Sequence, residues 1–214
     1  MVDVSERMWG RLAGAGAERR FRRGEVLLHQ GDEPTHVALL LSGRVKVVLY
    51  PGEGSALLLA VRGPGEALGV MGVAGATDRS ATVVALEVCV TRTLPAERFL
   101  ALVREAGEEA VLLRNAMLRI REGEAWRAET ASLPARLRVV RALLRLAVPV
   151  PGAPLEVPLG QAEIGQAVGL SRGVVAAELA RLREARLVTT DTGRVVIDDQ
   201  EGLRALAGTG QIGV

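Results

Sequence analysis

Cysteine and aromatic side chains are scarce in this sequence, and each shortage excludes a kind of site. Cys89 is the single cysteine in 214 residues, which excludes an internal disulfide, a cysteine-ligated iron–sulfur cluster and a zinc ribbon. Aromatic residues make up 2% of the chain. Because proteins that bind single-stranded nucleic acids stack bases on aromatic rings, this shortage argues against such a function.

Long apolar runs are absent as well. No run reaches the roughly 18 residues that a transmembrane helix needs, so we expect no membrane span. The first residues include Asp3, Glu6 and Arg7 and lack the apolar segment of a secretory signal peptide. We therefore expect a cytoplasmic protein without a membrane partner.

The residue patterns of common catalytic sites are also missing. Lys46 is the only lysine and does not belong to a glycine-rich phosphate loop, and Cys89 lies in an apolar run that predicts a buried strand. His29 and His36 have no nucleophile beside them. We expect both histidines in loops or at the surface, with haem ligation as the alternative. We expect neither a metal site nor an enzyme.

Short apolar runs alternate with glycine and proline from residue 21 to residue 94. Residues 37–41 and 45–50 are two such runs, separated by Gly43-Arg44. The first run is continuously apolar, which is typical of a strand buried on both faces. Strands of this length with glycine and proline at the turns predict a closed sandwich or jelly roll.

Helix-forming residues dominate after residue 94. Residues 108–129 contain no proline and are mostly good helix formers, so we predict one long helix there. Along it, four apolar residues recur at a spacing of three or four and form a stripe, namely Ala110, Leu113, Met117 and Ile120. The stripe has two interpretations, packing against the barrel or a two-helix seam in a homodimer, and the spacing does not decide between them.

The most informative stretch predicts two short helices, over residues 163–168 and 171–186, joined by a tight turn. Ala167 must be small where the helices meet, Gly169 favours the positive φ of the turn, and Ser171 can cap the second helix. Five apolar side chains can form the interface between the two helices, namely Ile164, Val168, Leu170, Val175 and Leu179.

A further helix and a hairpin flank this pair. Residues 133–147, with Pro134 in the first turn, predict the preceding helix. Residues 187–190 and 194–197 predict two strands, because Asp191-Thr192-Gly193 between them is a turn signal. A hairpin in this place completes a winged helix-turn-helix, a fold that presents its second helix to the major groove of DNA.

The second helix of such a motif carries the residues that read DNA. Arg172 lies at its start, where side chains point at base edges, and arginine suits a bidentate hydrogen bond to guanine. Ser171 and Gln161 are candidate phosphate contacts, which position a protein without reading sequence. Arg181 and Arg183 lie further along, and we expect them on a solvated face. The sequence thus predicts a protein that binds double-stranded DNA.

Four stretches of the sequence resemble the Crp–Fnr family of transcription regulators. Residues 21–32 and 40–47 resemble its cyclic-nucleotide-binding barrel, residues 136–147 the helix that opens its DNA-binding domain, and residues 163–172 its helix-turn-helix. The resemblance covers almost the whole chain. It implies an α+β fold with an N-terminal β jelly roll of the cyclic-nucleotide-binding type, a long dimerisation helix and a C-terminal winged helix-turn-helix.

The same resemblance implies how the chain is organised. An effector-sensing β-roll domain would cover residues 1–106, a dimerisation helix and hinge residues 107–131, and the DNA-binding domain residues 132–214. The protein would be a homodimer that binds a palindromic operator, with RNA polymerase as a further partner. Three residues would form the dimer interface, namely Leu113, Met117 and Ile120.

The resemblance also implies an effector site in the β-roll. Gly69, Arg79 and Ser80 match the family's phosphate-binding residues, and Arg119 on the long helix is retained. A buried arginine fork together with backbone N–H groups would neutralise a cyclic phosphate. The implied ligand is cAMP or another cyclic nucleotide.

Several of the family's contact positions carry other residues here. Val70 stands where the family has a glutamate that accepts a ribose hydroxyl, and Gly123-Glu124 align with a Thr-Ser pair that meets adenine. On the DNA-reading helix, the acidic and second basic positions fall on Gly173 and Ala177. We therefore expect an operator that differs from the family's usual one or is looser. The candidate DNA contacts are Gln161, Ser171, Arg172, Gly173, Val174 and Ala177.

Three hypotheses follow for the function. The first is a DNA-binding regulator whose β-roll binds a cyclic nucleotide or another small effector. The second is a constitutive regulator that needs no ligand. The third is a nucleotide-sensing module that acts on a protein partner and uses its helix-turn-helix only for packing.

Overall fold

The computed structural model describes residues 5–52, 56–150 and 152–208. The chain divides into two compact units, Met1–Glu124 and Ala125–Val214. The division into sensor, dimerisation helix and DNA-binding domain at residues 106 and 131 concerns function and stays a prediction.

Antiparallel strands form two four-stranded sheets in the first unit. The strands are β1 (Ala17–Phe21), β2 (Val26–Leu28), β3 (His36–Ser42), β4 (Val45–Leu49), β5 (Leu57–Arg62), β6 (Ala67–Leu68), β7 (Thr82–Ala85) and β8 (Cys89–Pro95). The strand orders are β1-β8-β3-β6 in one sheet and β2-β7-β4-β5 in the other. The two sheets form the predicted β-roll.

Strand β3 is buried on both faces, as its continuous apolar run predicted. Val37 and Leu39 pack in a cluster that includes Phe99, whereas Ala38 and Leu40 pack in a second cluster between strands. Alternate residues of a strand point to opposite faces, so β3 joins the strand core to the helices that cover it.

Cys89 is fully buried at the start of β8, where it lies opposite Phe21 of β1. Its thiol donates to the backbone oxygens of Arg44 and Glu87, and burial raises its pKa above the usual value. The prediction of a buried strand thiol is confirmed, although the apolar run that contains it is broken by a bend between β7 and β8.

Four helices accompany these strands in the described part of the first unit, and α4 continues into the second. They are α1 (Glu6–Ala15), α2 (Val70–Gly75), α3 (Ala96–Ala106) and α4 (Glu109–Ser132). Helix α1 was not predicted. Ser5 caps it and it buries only Met8 and Leu12, so its periodic apolar signal is short.

The apolar stripe of α4 is exposed. Leu112 is buried against the first unit, whereas Leu113, Met117 and Ile120 are 63%, 57% and 49% exposed. The interpretation in which this stripe packs against the barrel is therefore wrong, because the neighbouring face of the helix makes that contact. A seam between two copies remains as the prediction for the stripe.

Helices and a small sheet alternate in the second unit. The elements are α5 (Ala135–Leu146), β9 (Val148–Val150), β10 (Ala153–Val157), α6 (Gln161–Val168), α7 (Arg172–Glu184), β11 (Val188–Asp191), β12 (Arg194–Ile197) and α8 (Gln200–Leu206). The sheet is antiparallel with the order β11-β12-β10-β9. The predicted hairpin is β11–β12, and its two partner strands were not predicted.

Strand β9 gives little strand signal in the sequence because it contains a proline. Residues 148–152 carry two prolines and were expected only to end the preceding helix. Pro149 lies within β9, which is an edge strand, where the missing N–H interrupts no ladder on the outer side.

Candidate nucleic-acid interface and effector cavity

Helices α6 and α7 form the predicted helix-turn-helix. Of the five predicted interface residues, Ile164, Val168, Val175 and Leu179 are at most 1% exposed and lie where the helices meet. Leu170, in the turn, is half-buried. Gly169 ends α6 with φ 65°, the left-handed conformation that was predicted for the turn. The motif thus has a buried face that fixes the orientation of α7.

Ser171 begins the second helix as predicted. Its hydroxyl accepts a hydrogen bond from the backbone N–H of Val174 at 3.4 Å, which satisfies one of the free donors at the helix start. At the end of the first helix, Arg138 donates to the carbonyl of Val168 at 3.2 Å. Both ends of the turn are therefore held by side chains within the second unit.

Gly165 is a residue of the turn that was not singled out from the sequence. It is buried in α6, and a Cβ added to it would lie 2.5 Å from the carbonyl oxygen of Leu170. The backbone after the turn therefore approaches α6 too closely for any side chain at this position. The requirement for a small residue, assigned to Ala167, is stricter at Gly165.

Replacing Gly165 by alanine should lower the free energy of unfolding by about 1–3 kcal/mol, because the overlap involves backbone and cannot be relieved by a rotamer change. The matched control is Gly173→Ala in α7, where an added Cβ meets nothing closer than 4.0 Å and should stabilise the helix by about 0.5–1 kcal/mol. Urea unfolding of both variants checks this pair, and a stabilised Gly165→Ala protein would contradict the close approach.

The opposite face of α7 is exposed. Arg172, Gly173, Val174 and Ala177 are all exposed, whereas Gln161 is half-buried at the first residue of α6. Together with Ser171 these are the six candidate DNA contacts. All lie on α6, on α7 or at the cap of α7.

Arg172 differs from the other arginines of α7 in having no partner in the part of the chain that the structure describes. Among the described residues its side chain makes no hydrogen bond or ion pair, whereas Arg181 donates to Glu178 at 2.7 Å and Arg183 to Thr190 at 3.1 Å. Arg181 and Arg183 are exposed, as expected. Arg172 is therefore the guanidinium at the start of α7 that can bind a base without breaking an existing contact.

The hairpin beside α7 is held by charged contacts. Arg194 donates to Asp191 across the turn at 3.0 Å and to Glu156 of β10 at 3.2 Å. The N–H of Thr192 and the guanidinium of Arg194 lower the pKa of the Asp191 carboxyl. These contacts order the exposed turn between β11 and β12.

A cavity of about 100 Å³ lies between the β-roll and α4 within the first unit. It is lined by all five residues that the sequence predicted for the effector site, namely Gly69, Val70, Arg79, Ser80 and Arg119. Apolar side chains from the strands and α4 form much of the remaining wall, including Leu28, Val47, Leu68, Val83 and Leu112. The structure thus brings together five predicted residues that are up to 50 positions apart in the chain.

Arg79 is the buried cation of this cavity. It is 5% exposed, and its two terminal nitrogens donate to the carbonyl oxygens of Gly69, at 2.8 Å, and of His36. Burial lowers the pKa of the guanidinium, and Asp32 offsets part of the effect. Within the described residues no carboxylate lies within 4.0 Å of it. A buried arginine held only by neutral oxygens favours an anionic ligand.

His36 lies beside this cation. Burial and then the charge of Arg79 lower the pKa of its imidazole. His29 is exposed. Within the described residues no group of three or more His, Cys, Asp and Glu side chains has the arrangement of a metal site.

Gly69 supports Arg79 in two ways. Its φ of 83° is in the left-handed region, and a Cβ at this position would overlap Nη1 of Arg79. The glycine therefore allows the guanidinium to reach the carbonyl that holds it.

Glu66 is a charged residue near the cavity that was not singled out from the sequence. Its carboxylate lies 3.4 Å from Arg119 and 3.4 Å from Arg62, and its side chain is 14% exposed. Two arginines thus share one half-buried carboxylate, and one of them, Arg119, lines the cavity. The sequence signal is weak, because Glu66 follows a glycine-rich turn and precedes a two-residue strand.

A β-roll with an arginine-lined cavity and a winged helix-turn-helix together define a DNA-binding protein with a ligand-sensing domain. Residues 18–106 match the cyclic nucleotide-binding domain family, and residues 137–206 match the Crp-like helix-turn-helix domain family. The cyclic AMP receptor protein of Thermus thermophilus is 32% identical over 196 residues, which are 88% of this chain and 87% of that protein. The chain belongs to the Crp–Fnr family of transcription regulators.

Other relatives agree with this assignment. The cAMP-activated global transcriptional regulator of Salmonella typhimurium is 25% identical over 178 residues, 80% of this chain and 85% of that protein. A Thermus thermophilus regulator of the same family has a solved structure with a TM-score of 0.70 at 27% identity, covering 89% of this chain and 97% of that one. The c-di-GMP-responsive regulator of Xanthomonas campestris shares the fold, with a TM-score of 0.72 at 20% identity and coverage of 90% and 99%.

The family assignment confirms several of the predictions. The fold class, the DNA-binding function and the presence of a cyclic-nucleotide-binding domain are confirmed, and the family consists of regulators rather than enzymes. Within the described residues, none of the helices combines the length and apolar character that a transmembrane segment needs.

Proposed function

We propose that the protein acts as a homodimer that binds a palindromic operator through Arg172 and the exposed face of α7. The observation that carries this proposal is the exposed guanidinium of Arg172, which has no partner among the described residues, at the start of a helix whose other face is buried. Arginine in this position can donate two hydrogen bonds to the O6 and N7 atoms of guanine. Gln161 and Ser171 supply polar groups for nearby phosphates.

The β-roll is proposed to bind an anionic effector with its negative charge at Arg79 and Ser80. Arg79 is buried and has no ion-pair partner within the described part of the chain, Ser80 is exposed beside it, and both line the same cavity. Arg119 reaches the cavity from α4, so a ligand there would contact the helix that leads to the second unit. A cyclic nucleotide fits this donor set through its phosphate.

The valine at position 70 restricts which nucleotide can be the effector. A valine cannot accept a hydrogen bond from a ribose hydroxyl, and an unpaired buried hydroxyl costs about 1–3 kcal/mol. This cost disfavours cAMP, so we propose cyclic nucleotides that need no acceptor at this position as candidates beside cAMP. Two relatives are described by different ligands, one as a cyclic AMP receptor and one as c-di-GMP responsive.

A constitutive regulator is the second candidate function, and one observation favours it. Both terminal nitrogens of Arg79 already donate to backbone oxygens, so the cation is hydrogen-bonded without a ligand. In this case DNA binding would not respond to any nucleotide.

Dimerisation is proposed to use the exposed stripe of α4. Leu113, Met117 and Ile120 are large apolar residues at a spacing of three or four, and two such stripes can form a helical seam. A homodimer would provide the two recognition helices that a palindrome requires. Cytoplasmic location and contact with RNA polymerase are expected for a protein with this role.

Met117→Glu should convert the dimer into a monomer, because a carboxylate at the centre of an apolar seam would be buried beside its copy in the partner. The control is Leu118→Glu, an apolar residue one position away that lies outside the stripe and is 37% exposed. Sedimentation velocity distinguishes the two species. A dimeric Met117→Glu protein would contradict the seam, as would a Leu118→Glu protein that is monomeric.

Selection of genomic DNA fragments by the purified protein tests the proposed function. The selection is run without nucleotide and then with cAMP, cGMP and c-di-GMP separately, and calorimetry measures binding of each nucleotide. An enriched palindrome that requires one nucleotide supports the gated regulator, and an enriched palindrome under every condition supports the constitutive one. Fragments without any shared sequence would contradict both and favour a module that acts on a protein partner.

A further inference from the structure

We propose that each half of the operator contains thymines whose 5-methyl groups contact Val174 and Ala177, beside the guanine that Arg172 reads. The inference rests on the proposed DNA-binding function and adds the bases that the recognition helix selects. Its basis is the set of side chains that the first two turns of α7 expose.

Direct reading of bases in the major groove uses a small set of side-chain types. Arginine or lysine reads guanine, asparagine or glutamine reads adenine, and a carboxylate accepts from cytosine. Apolar groups contact the methyl group of thymine. The residue types on an exposed helix face therefore restrict which bases the helix can select.

The exposed residues on the first two turns of α7 are Arg172, Gly173, Val174 and Ala177. This set contains one guanidinium, two apolar side chains and a glycine. It contains no amide and no carboxylate, so it has a reader for guanine and for thymine and none for adenine or cytosine.

The acidic residue nearest to this face points away from it. Glu178 is 8% exposed and accepts a hydrogen bond from Arg181 at 2.7 Å. Reaching a base would require this carboxylate to leave its buried position and its ion pair. Glu178 and Arg181 thus bind each other, and the apolar residues remain for the groove.

Val174 is suited to a methyl contact by its placement. Its side chain is 39% exposed although it is apolar, and its backbone N–H is held by the cap Ser171. A β-branched side chain in a helix has one strongly preferred rotamer, so little freedom would be lost on contact. Gly173 and Ala177 beside it are small, which allows α7 to approach the base edges closely.

Replacing thymine by deoxyuridine tests the proposal, because it removes only the 5-methyl group and leaves base pairing intact. Full-length protein is titrated with its selected operator and with versions in which one thymine at a time is replaced. We expect affinity to fall about fourfold at one or two thymines beside the guanine of each half-site, and to stay unchanged at thymines outside the half-sites.

Protein variants assign each methyl group to a side chain. Val174→Ala should bind the thymine and uracil versions equally at one of these positions, and Ala177→Gly at another. The control is Val88→Ala, a valine of the first unit that is 66% exposed, which should keep the full penalty at every position.

The outcomes separate this inference from the proposed function. An enriched operator that binds equally well with uracil at every position would overturn the methyl contacts and leave DNA binding by Arg172 intact. A penalty that survives unchanged in both Val174→Ala and Ala177→Gly would also overturn them. A selection that returns no shared sequence overturns the proposed function and this inference together.

Discussion

Arg172→Ala should weaken binding to the selected operator by about 1–3 kcal/mol per half-site, and it should remove discrimination at one base pair. The guanidinium has no partner among the described residues and is exposed at the start of α7. Its loss therefore leaves the fold of the second unit unchanged. Titration of the wild-type protein and the variant with operators carrying each of the four base pairs at that position measures the effect.

The matched control is Arg183→Ala on the same helix. This guanidinium is exposed and donates to the hydroxyl of Thr190 at 3.1 Å, so removing it changes the charge equally without removing a base contact or leaving a buried carboxylate unpaired. We expect a weak loss of affinity that is the same for all four base pairs. If Arg172→Ala retained the preference of the wild-type protein, the assignment of base reading to this residue would be wrong.

Arg79→Gln should reduce effector affinity at least about 100-fold, because a charge-assisted bidentate contact to an anion is lost from a buried site. Glutamine removes the charge and the two terminal nitrogens that donate to the carbonyls of Gly69 and His36, so urea unfolding first establishes that the variant is folded. Calorimetric titration with the nucleotide identified for the wild-type protein gives the two affinities.

A second variant tests the position of the guanidinium rather than its charge. Gly69→Ala keeps the charge of Arg79 but shifts its guanidinium, because the added Cβ would overlap Nη1 of Arg79. We expect it to weaken the nucleotide as Arg79→Gln does, while Arg20→Gln on the exposed face of β1 leaves the affinity unchanged. Undiminished binding by a folded Arg79→Gln protein would exclude this residue from the effector site.

Local rules were sufficient to predict the helix-turn-helix and one strand of the β-roll. The turn at Gly169 needs a positive φ. The cap at Ser171 needs only its own hydroxyl and the backbone N–H three residues later. Both features were therefore predictable from neighbouring residues. The double burial of β3 was predictable because a continuous apolar run has no polar face. Arg79 and Gly69 could be placed in one site because the resemblance to a known family joins them.

Contacts between distant residues were not predictable in the same way. The closeness of Gly165 to the carbonyl of Leu170 depends on the crossing of two helices, and the sharing of Glu66 by two arginines depends on how a loop meets α4. Helix α1 gives a weak signal in the sequence because it buries only two residues, and strand β9 does so because it contains a proline. The apolar stripe of α4 had two interpretations until the structure assigned the barrel contact to the face of Leu112.

The spacing of the two half-sites gives the most direct test of a dimer that presents two α7 helices to one side of DNA. Affinity is measured for operators in which the half-sites are moved apart one base pair at a time. We predict strongest binding when their centres are about one helical turn, 10–10.5 base pairs, apart and a loss of at least about 100-fold when half a turn is inserted. Affinity that does not depend on the spacing would contradict a dimer that binds both half-sites at once.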